Sequence, residues 1–236
     1  MESLYPMRIN KYLAHKKYCT RREADEHIER GRVLINGKKA KLGDKVQESD
    51  TVTVDFPKTD HQYLAYFKPR GVITHSAQKG IDPGEQEIKE IMPVPGVFPV
   101  GRLDKDSFGL IILTDDGRLT DALLNPEHEH EKEYDVVLAA KPPSYFAKKL
   151  EAGIDIGGYV TKKCSVVKRG DRKFTITITE GKKHQIRRMC GAVGQSTVEL
   201  KRTRILNVQL GALKSNQYRK ITGPELKKFL GSLGLA

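Results

Sequence analysis

One aspartate set among cations carries the clearest chemical potential in this chain. Asp104 stands between Arg102 and Lys105 in the decamer Gly101–Leu110, and a carboxylate held near cations stays ionised, available as a nucleophile or base. An ordinary charged turn has the same appearance, and Asp106 two positions on is equally acidic. A second concentration lies between Gly181 and Arg204, where seven Lys and Arg face one Glu. Its cations include Lys182, Lys183, Arg187, Arg188, Arg202 and Arg204, interleaved with Ile186, Met189 and Leu200 in a way that suits phosphate oxygens. His184 offers a general base or, more ordinarily, a hydrogen-bonding scaffold. Tyr134 supplies an aromatic with a polar tip. The His128-x-His130 pair sits in a carboxylate-rich run with no marked third ligand, so no metal is expected there. Cys19, Cys164 and Cys190 are odd in number and widely spaced, which fits reduced packing thiols.

These residues need elements to position them. Val97, Phe98 and Val100 before the decamer and Leu110–Leu113 after it read as strands, so the charged stretch is a loop pinned between core elements. Tyr63–Phe67 is a strand candidate, turned by Lys68-Pro69-Arg70-Gly71 into Val72-Ile73-Thr74. Residues 75–96 read as a variable loop with a short helix at Glu87–Met92. Asp115-Asp116-Gly117 caps a helix through Asn125. Tyr134 enters a strand, Pro142-Pro143 start a helix through Glu151, and Thr161–Val167 and Lys173–Thr179 alternate as strands. Gly181–Val193 reads as a helix and Val198–Ile205 as a strand.

Upstream, residues 7–54 form a compact basic unit. Ile9, Tyr12 and Leu13 share a helical face, and Thr20-Arg21-Arg22-Glu23 has the form of a capping box opening a second helix that Gly31 ends. Val33–Ile35, Asn36-Gly37 and Lys38–Ala40 read as a tight hairpin, with Thr51–Val54 closing a small sheet. Twelve Lys and Arg, Lys17 among them, face eight Asp and Glu through Val54. Asp55–His61, with Pro57, reads as a linker.

At 236 residues with 42 Lys+Arg against 30 Asp+Glu, a net charge of +12, the chain suggests a polyanionic partner, with nucleic acid leading. No apolar stretch approaches a bilayer span and residues 1–10 lack a signal-peptide core. The expectation is a cytoplasmic monomer with no membrane partner.

The order of residues says more than charge. R-x-x-K-Y-L, C-T-R-R-E-A-D-x-x-I-x-x-G-R-V-x-I-N-G and G-D-x-V resemble the RNA-binding domain named after ribosomal small-subunit protein four. That resemblance implies a basic RNA face including Arg8, Lys11, Arg21, Arg22 and Lys38. Further on, G-R-L-D-K-D-S-F-G-L-I-I-L-T-D-D-G (101–117), H-E-K-E-Y (130–134) and G-K-K-H-Q-I-R-R-M (181–189) resemble, in order, the motifs of the RsuA/RluF group of pseudouridine synthases. Val160–Cys164 and Q-I-R-R-M-C lean toward the RluF branch. Lys182 stands where arginine is frequent, and the long basic C-terminal tail of some relatives is missing.

The resemblance implies isomerisation of a uridine to pseudouridine in structured RNA, foremost large-subunit ribosomal RNA, with small-subunit ribosomal RNA or a transfer RNA anticodon loop as the alternative. It implies Asp104 as catalytic aspartate, Tyr134 packing on the target base, Arg187 ion-paired with Asp104, and Leu200 flooring the pocket. Arg102, Lys182, Lys183, Arg188, Arg202 and Arg204 would meet RNA. No cofactor or metal is required, since uracil is detached at nitrogen, rotated and rejoined through carbon. A catalytically silent RNA-binding factor would lack the aspartate, and a glycosidase built on Asp104 and Asp106 would need carboxylates facing across a bond. The expected fold class is α+β: a small N-terminal RNA-binding domain over residues 1–58 and a catalytic domain over 59–236 with a mixed, mostly antiparallel sheet flanked by helices.

Overall fold

The structure, a computed structural model, describes residues 5–16, 18–56, 61–74, 86–92 and 94–235. Lys17, most of the expected linker (57–60) and the greater part of the expected variable loop (75–85, with Pro93) lie outside the described residues. Contacts divide the chain into two units: residues up to His61 together with Asp116–Asp121 and Leu235, and the remainder from Gln62.

In the first unit, β1 (Met7–Arg8) leads into α1 (Ile9–His15), followed by α2 (Arg21–Glu29), β2 (Val33–Ile35), β3 (Lys38–Lys39), β4 (Lys45–Val46) and β5 (Val52–Val54). The capping box forms as its sequence requires: the Glu23 amide donates to Thr20 Oγ1 (3.2 Å) and the Thr20 amide to Glu23 Oε2 (2.7 Å), meeting donors that the helix start leaves open. Asn36 (φ 51°) and Gly37 (φ 76°) both occupy the left-handed region, the condition for a two-residue hairpin whose twist matches its strands. Ile9, Leu13, Cys19, Ala24, Ile28, Val33, Ala40 and Val46 make the core.

In the second unit the elements run β6 (Tyr63–Lys68), α3 (Ile88–Ile91), β7 (Phe98–Val100), β8 (Phe108–Thr114), α4 (Arg118–Leu124), β9 (Lys132–Leu138), α5 (Phe146–Glu151), β10 (Ser165–Lys168), β11 (Lys173–Ile178), α6 (Gln185–Gly191), β12 (Thr197–Ile205), β13 (Val208–Gln209), β14 (Tyr218–Lys220) and α7 (Gly223–Ser232). One nine-stranded sheet runs β10-β11-β9-β12-β8-β6-β14, with β7 on β8 and β13 on β12. All its pairings are antiparallel except β12 with β8, so the sheet is mixed and mostly antiparallel. Strands β6 and β8 are apolar along nearly their whole length and buried on both faces, as expected for strands covered from both sides.

Several element boundaries depart from expectation. Val72–Thr74 makes a single bridge, Ile73 to Glu87, because Thr74 turns away to bind a loop described below. The helix expected from Pro142 begins at Phe146, after a turn in which the Phe146 amide donates to the Pro143 carbonyl. The strand expected from Thr161 begins at Ser165, since the Thr161 hydroxyl is engaged by the Ile154 amide (3.0 Å). The helix expected from Gly181 to Val193 spans Gln185–Gly191; His184 precedes it in the left-handed conformation (φ 52°), where a helix cannot continue.

Register brings four residues into one row across the sheet: Lys68 opposite Gly109, Gly109 opposite Arg202, and Arg202 opposite Tyr134. Directly opposed residues share a face, so two cations and an aromatic stand side by side around a glycine. The glycine is obligatory: its φ is 102°, and a Cβ there would lie 2.3 Å from the Arg202 carbonyl oxygen and 2.9 Å from the Arg202 nitrogen. Gly109→Ala is expected to cost about 3 kcal/mol, a fall in Tm of roughly 10 °C, measured by thermal melting followed by circular dichroism.

Candidate active site

The loop between β7 and β8 is held almost entirely through its backbone. Lys68, at the end of β6, is fully buried, and an ammonium removed from water must find acceptors. Its Nζ donates to the carbonyls of Ser107 (2.8 Å), Pro69 (3.0 Å), Asp104 (3.3 Å) and Lys105 (3.5 Å). Thr74 Oγ1 donates to the Leu103 carbonyl (2.8 Å) and accepts from the Leu103 amide (3.1 Å). The Gly71 amide donates to the Lys105 carbonyl (2.8 Å), and the Ser107 amide closes a turn on the Asp104 carbonyl (3.0 Å). Burial pushes the Lys68 pKa down to about 8, opposed by the charge of Asp104 and reinforced by that of Arg202.

With its backbone clamped, Asp104 presents a partly exposed carboxylate. Its Oδ2 lies 3.2 Å from His184 Nδ1. This corrects the expected Arg187–Asp104 ion pair: Arg187 instead donates to the Thr197 carbonyl (3.1 Å), the Asp106 carbonyl (3.3 Å) and Ser107 Oγ (3.5 Å). Arg187 thus braces the same loop by its backbone, while the left-handed turn at His184 delivers the imidazole to the carboxylate. Behind the loop, Leu103 packs in one apolar cluster with Tyr134, Ile186, Met189 and Leu200. Tyr134 and Leu200 are therefore brought beside the residue next to Asp104.

The cations divide into three groups. Arg102, Lys182 and Lys183 are exposed, as are Arg8, Lys11, Arg21, Arg22 and Lys38 of the first unit. Others are engaged by the protein: Arg188 donates to the carbonyls of Ile156 and Gly157, and Arg204 pairs with Glu131 (3.0 Å) and Glu133 (3.4 Å). Arg202, expected on the RNA surface, is buried with 4% of its area exposed, a correction that follows from strand alternation placing it on the inner face with Leu200. Lys182 stands 4.4 Å over the ring of Tyr159. That ring's hydroxyl donates to buried Glu180 (2.5 Å), which also accepts from Gln185 Nε2 (2.6 Å) and the Lys162 amide (3.0 Å). This network ties the start of α6 to residues 159–162, and charge counting alone could not find it. His130 Nε2 lies 2.9 Å from the Ala122 carbonyl oxygen, and no cluster of three metal-ligating side chains occurs among the described residues.

A polar loop clamped over a mixed sheet, with an aspartate at its tip and an aromatic beneath, in a chain that also carries a capped, basic two-helix unit, defines an RNA-modifying enzyme of two parts. Comparison with known proteins agrees. Residues 62–192 match the RNA pseudouridylate synthase family and residues 7–52 the S4 domain. The dual-specificity RNA pseudouridine synthase RluF of Escherichia coli strain K12 is 40% identical over 228 residues, covering 93% of this chain and 77% of that protein. The ribosomal large subunit pseudouridine synthase B of Bacillus subtilis strain 168 is 35% identical over 233 residues, covering 94% of each. A crystal structure of a pseudouridylate synthase superposes with a TM-score of 0.68 at 29% identity, over 94% of this chain and 99% of that one. The chain belongs to the RNA pseudouridylate synthase family and is an isomerase of uridine in RNA.

The clamp makes two measurable demands. Lys68→Met removes the ammonium that bridges the Asp104, Lys105 and Ser107 carbonyls, and a displacement of order 1 Å should slow product formation at saturating RNA about a hundredfold. Since the folded pKa of about 8 lies below the usual 10.5, the unfolded chain holds more protons between those values and the contribution of Lys68 to stability rises with pH across that window. Melting series of wild type and Lys68→Met from pH 7 to 11 should show the difference moving in favour of wild type above pH 8. Activity should move the other way, because deprotonation leaves two N–H donors for four carbonyls.

Proposed function

We propose that this chain converts one uridine of large-subunit ribosomal RNA to pseudouridine, with Asp104 as the catalytic carboxylate. The observation that carries the reading is the Asp104 loop: a partly exposed carboxylate on a backbone fixed from Lys68, Thr74, Gly71 and Arg187. A fixed carboxylate meets each chemical route open to this isomerisation, whether attack on the sugar, attack on the base, or removal of a ribose proton. In each, the C1′–N1 bond breaks with its electron pair going to the base. The base then turns and bonds C1′ through C5, whose proton departs while N1 gains one, so the atoms balance without oxidant or reductant.

Tyr134 packs on the extruded base and Leu200 floors the pocket in this reading, consistent with their shared cluster beside Leu103. Arg187 acts by bracing the loop, and the His184 imidazole, 3.2 Å away, is the neighbour of the Asp104 carboxylate before substrate arrives. A uridine in structured RNA must leave its stack to reach such a pocket. The exposed cations Arg8, Lys11, Arg21, Arg22 and Lys38 of residues 1–58 hold the RNA by its phosphates, leaving 59–236 to the chemistry. The named ribosomal target of the Bacillus subtilis relative supports large-subunit RNA, and the dual specificity named for the Escherichia coli relative is a reason to test a second RNA class, for which a transfer RNA anticodon loop and small-subunit ribosomal RNA are the candidates. The protein acts as a cytoplasmic monomer, where these RNAs reside.

Mapping pseudouridine across ribosomal and transfer RNA with and without the protein identifies the target. Asp104→Asn should abolish product while leaving the RNA dissociation constant within about twofold; product formation by this variant would remove Asp104 from the chemistry. The triple variant Arg21→Ala, Arg22→Ala, Lys38→Ala should weaken binding and reduce the slope of log affinity against log salt by roughly two to three. An unchanged slope in a filter-binding titration would place the phosphate contacts elsewhere.

A further inference from the structure

Arg202 is the least accounted-for charge in the molecule. Its side chain is buried, its Nε donates to the Leu110 carbonyl (2.7 Å), and its Nη2 has no hydrogen-bond partner. Among the described residues no carboxylate pairs with it. Buried Lys68 and half-buried Lys132 both feel its charge as repulsion. A buried cation without an anion costs stability, and an apolar side chain of similar volume would suit a core better. Such a cation needs a reason to be there, and its surroundings supply one. The guanidinium carbon stands 6.0 Å from the centroid of the Tyr134 ring, in the row Lys68–Gly109–Arg202–Tyr134 that lies along the floor of the candidate site.

We propose that Arg202 is a positioning residue of the isomerisation, a cation behind the pocket that holds the Tyr134 ring and lends its field to the base while the base is anionic. The inference rests on the reading of Tyr134 as the surface on which the base packs. Negative charge on the pyrimidine is common to every route. Departure from C1′ leaves the electron pair on N1, and attack at C6 sends electrons to the C4 oxygen. Neither step calls for a contact from Arg202 itself, whose Nη2 is sealed from solvent. A base stacked about 3.5 Å beyond the ring would lie about 9.5 Å from the guanidinium, given its 6.0 Å distance to the ring. At that separation and an effective dielectric near 20, the attraction amounts to about twenty-fold in rate. A charge placed there in advance costs no reorganisation during the reaction.

The test compares Arg202→Gln, which keeps an N–H for the Leu110 carbonyl but removes the charge, with Arg202→Lys, which keeps the charge. Single-turnover release of the C5 proton from tritiated RNA gives the rate at saturation, and filter binding gives affinity and its salt slope. Arg202→Gln should lose about twenty-fold in saturated rate with affinity and salt slope unchanged, and Arg202→Lys should stay within about threefold of wild type. A wild-type saturated rate in Arg202→Gln overturns the proposal. So does a loss confined to affinity with a flattened salt slope, which would make Arg202 a phosphate contact. Should Arg202→Gln fail to fold by circular dichroism, Arg202→Lys decides: a rate within threefold supports a role for charge, and a larger loss overturns it. Absence of product from the wild-type protein on every RNA tested would instead overturn the proposed function.

Discussion

A lysine with no access to water sets the terms for the rest of this site. The ammonium of Lys68 has three protons to place and finds them four carbonyls, three of which belong to residues 104–107. The burial of that charge is tolerable only while the loop lies over it, and the loop keeps its shape only while the charge lies beneath it. Specificity of conformation is thereby obtained from main-chain acceptors and does not draw on the Asp104 carboxylate. Thr74 and Arg187 extend the same principle, since each meets the loop through its backbone.

The sheet below is the second determinant. Close approach of β8 and β12 demands Gly109, and the missing side chain is what allows Lys68 and Arg202 to stand on either side of it. Tyr134 continues the row from β9. The polar side of the site is thus divided into a loop that presents a carboxylate and a floor that presents positive charge and an aromatic face. In the proposed reading, opposite signs on loop and floor suit a reaction in which the sugar becomes electron-poor and the base electron-rich.

Much of this was legible in the amino-acid sequence, and what was not has identifiable causes. The capping box at Thr20 and Glu23, the Asn36-Gly37 turn and the flanking strands of the decamer depend on neighbours within a few positions, so local chemistry reveals them. Lys68 was hidden because its burial depends on carbonyls 36 to 39 positions away; Tyr63–Phe67 followed by Lys-Pro-Arg-Gly reads simply as a strand and a turn. Arg202 was misplaced for a different reason. Counting cations along Gly181–Arg204 treats the stretch as one surface, whereas the two-residue period of β12 puts Leu200 and Arg202 inside. That alternation was present in the sequence and was the signal to weigh. His184 displaced Arg187 as the neighbour of Asp104 because a left-handed residue reverses the chain at the helix start, and nothing in the side-chain order announces such a turn. Strand β14 is three residues long and pairs with β6 far back along the chain, while β13 is a two-residue return onto β12, each too short for its residue pattern to announce.

The single parallel pairing in the sheet has a consequence for how the molecule is made. The arginine that donates to the Leu110 carbonyl lies 92 positions further along the chain, so β8 emerges from a ribosome long before its neighbour exists. At an elongation rate of about ten residues per second that interval is roughly ten seconds. During it the Phe108–Gly109 end of β8 lacks its neighbour, since β7 covers only Ile112–Thr114 of that edge, and the clamp around Lys68 closes on a loop whose floor is half built. Completion of the candidate site therefore comes late in synthesis, and a nascent chain ending anywhere before β12 carries the Asp104 loop without the strand that bears Leu200 and Arg202.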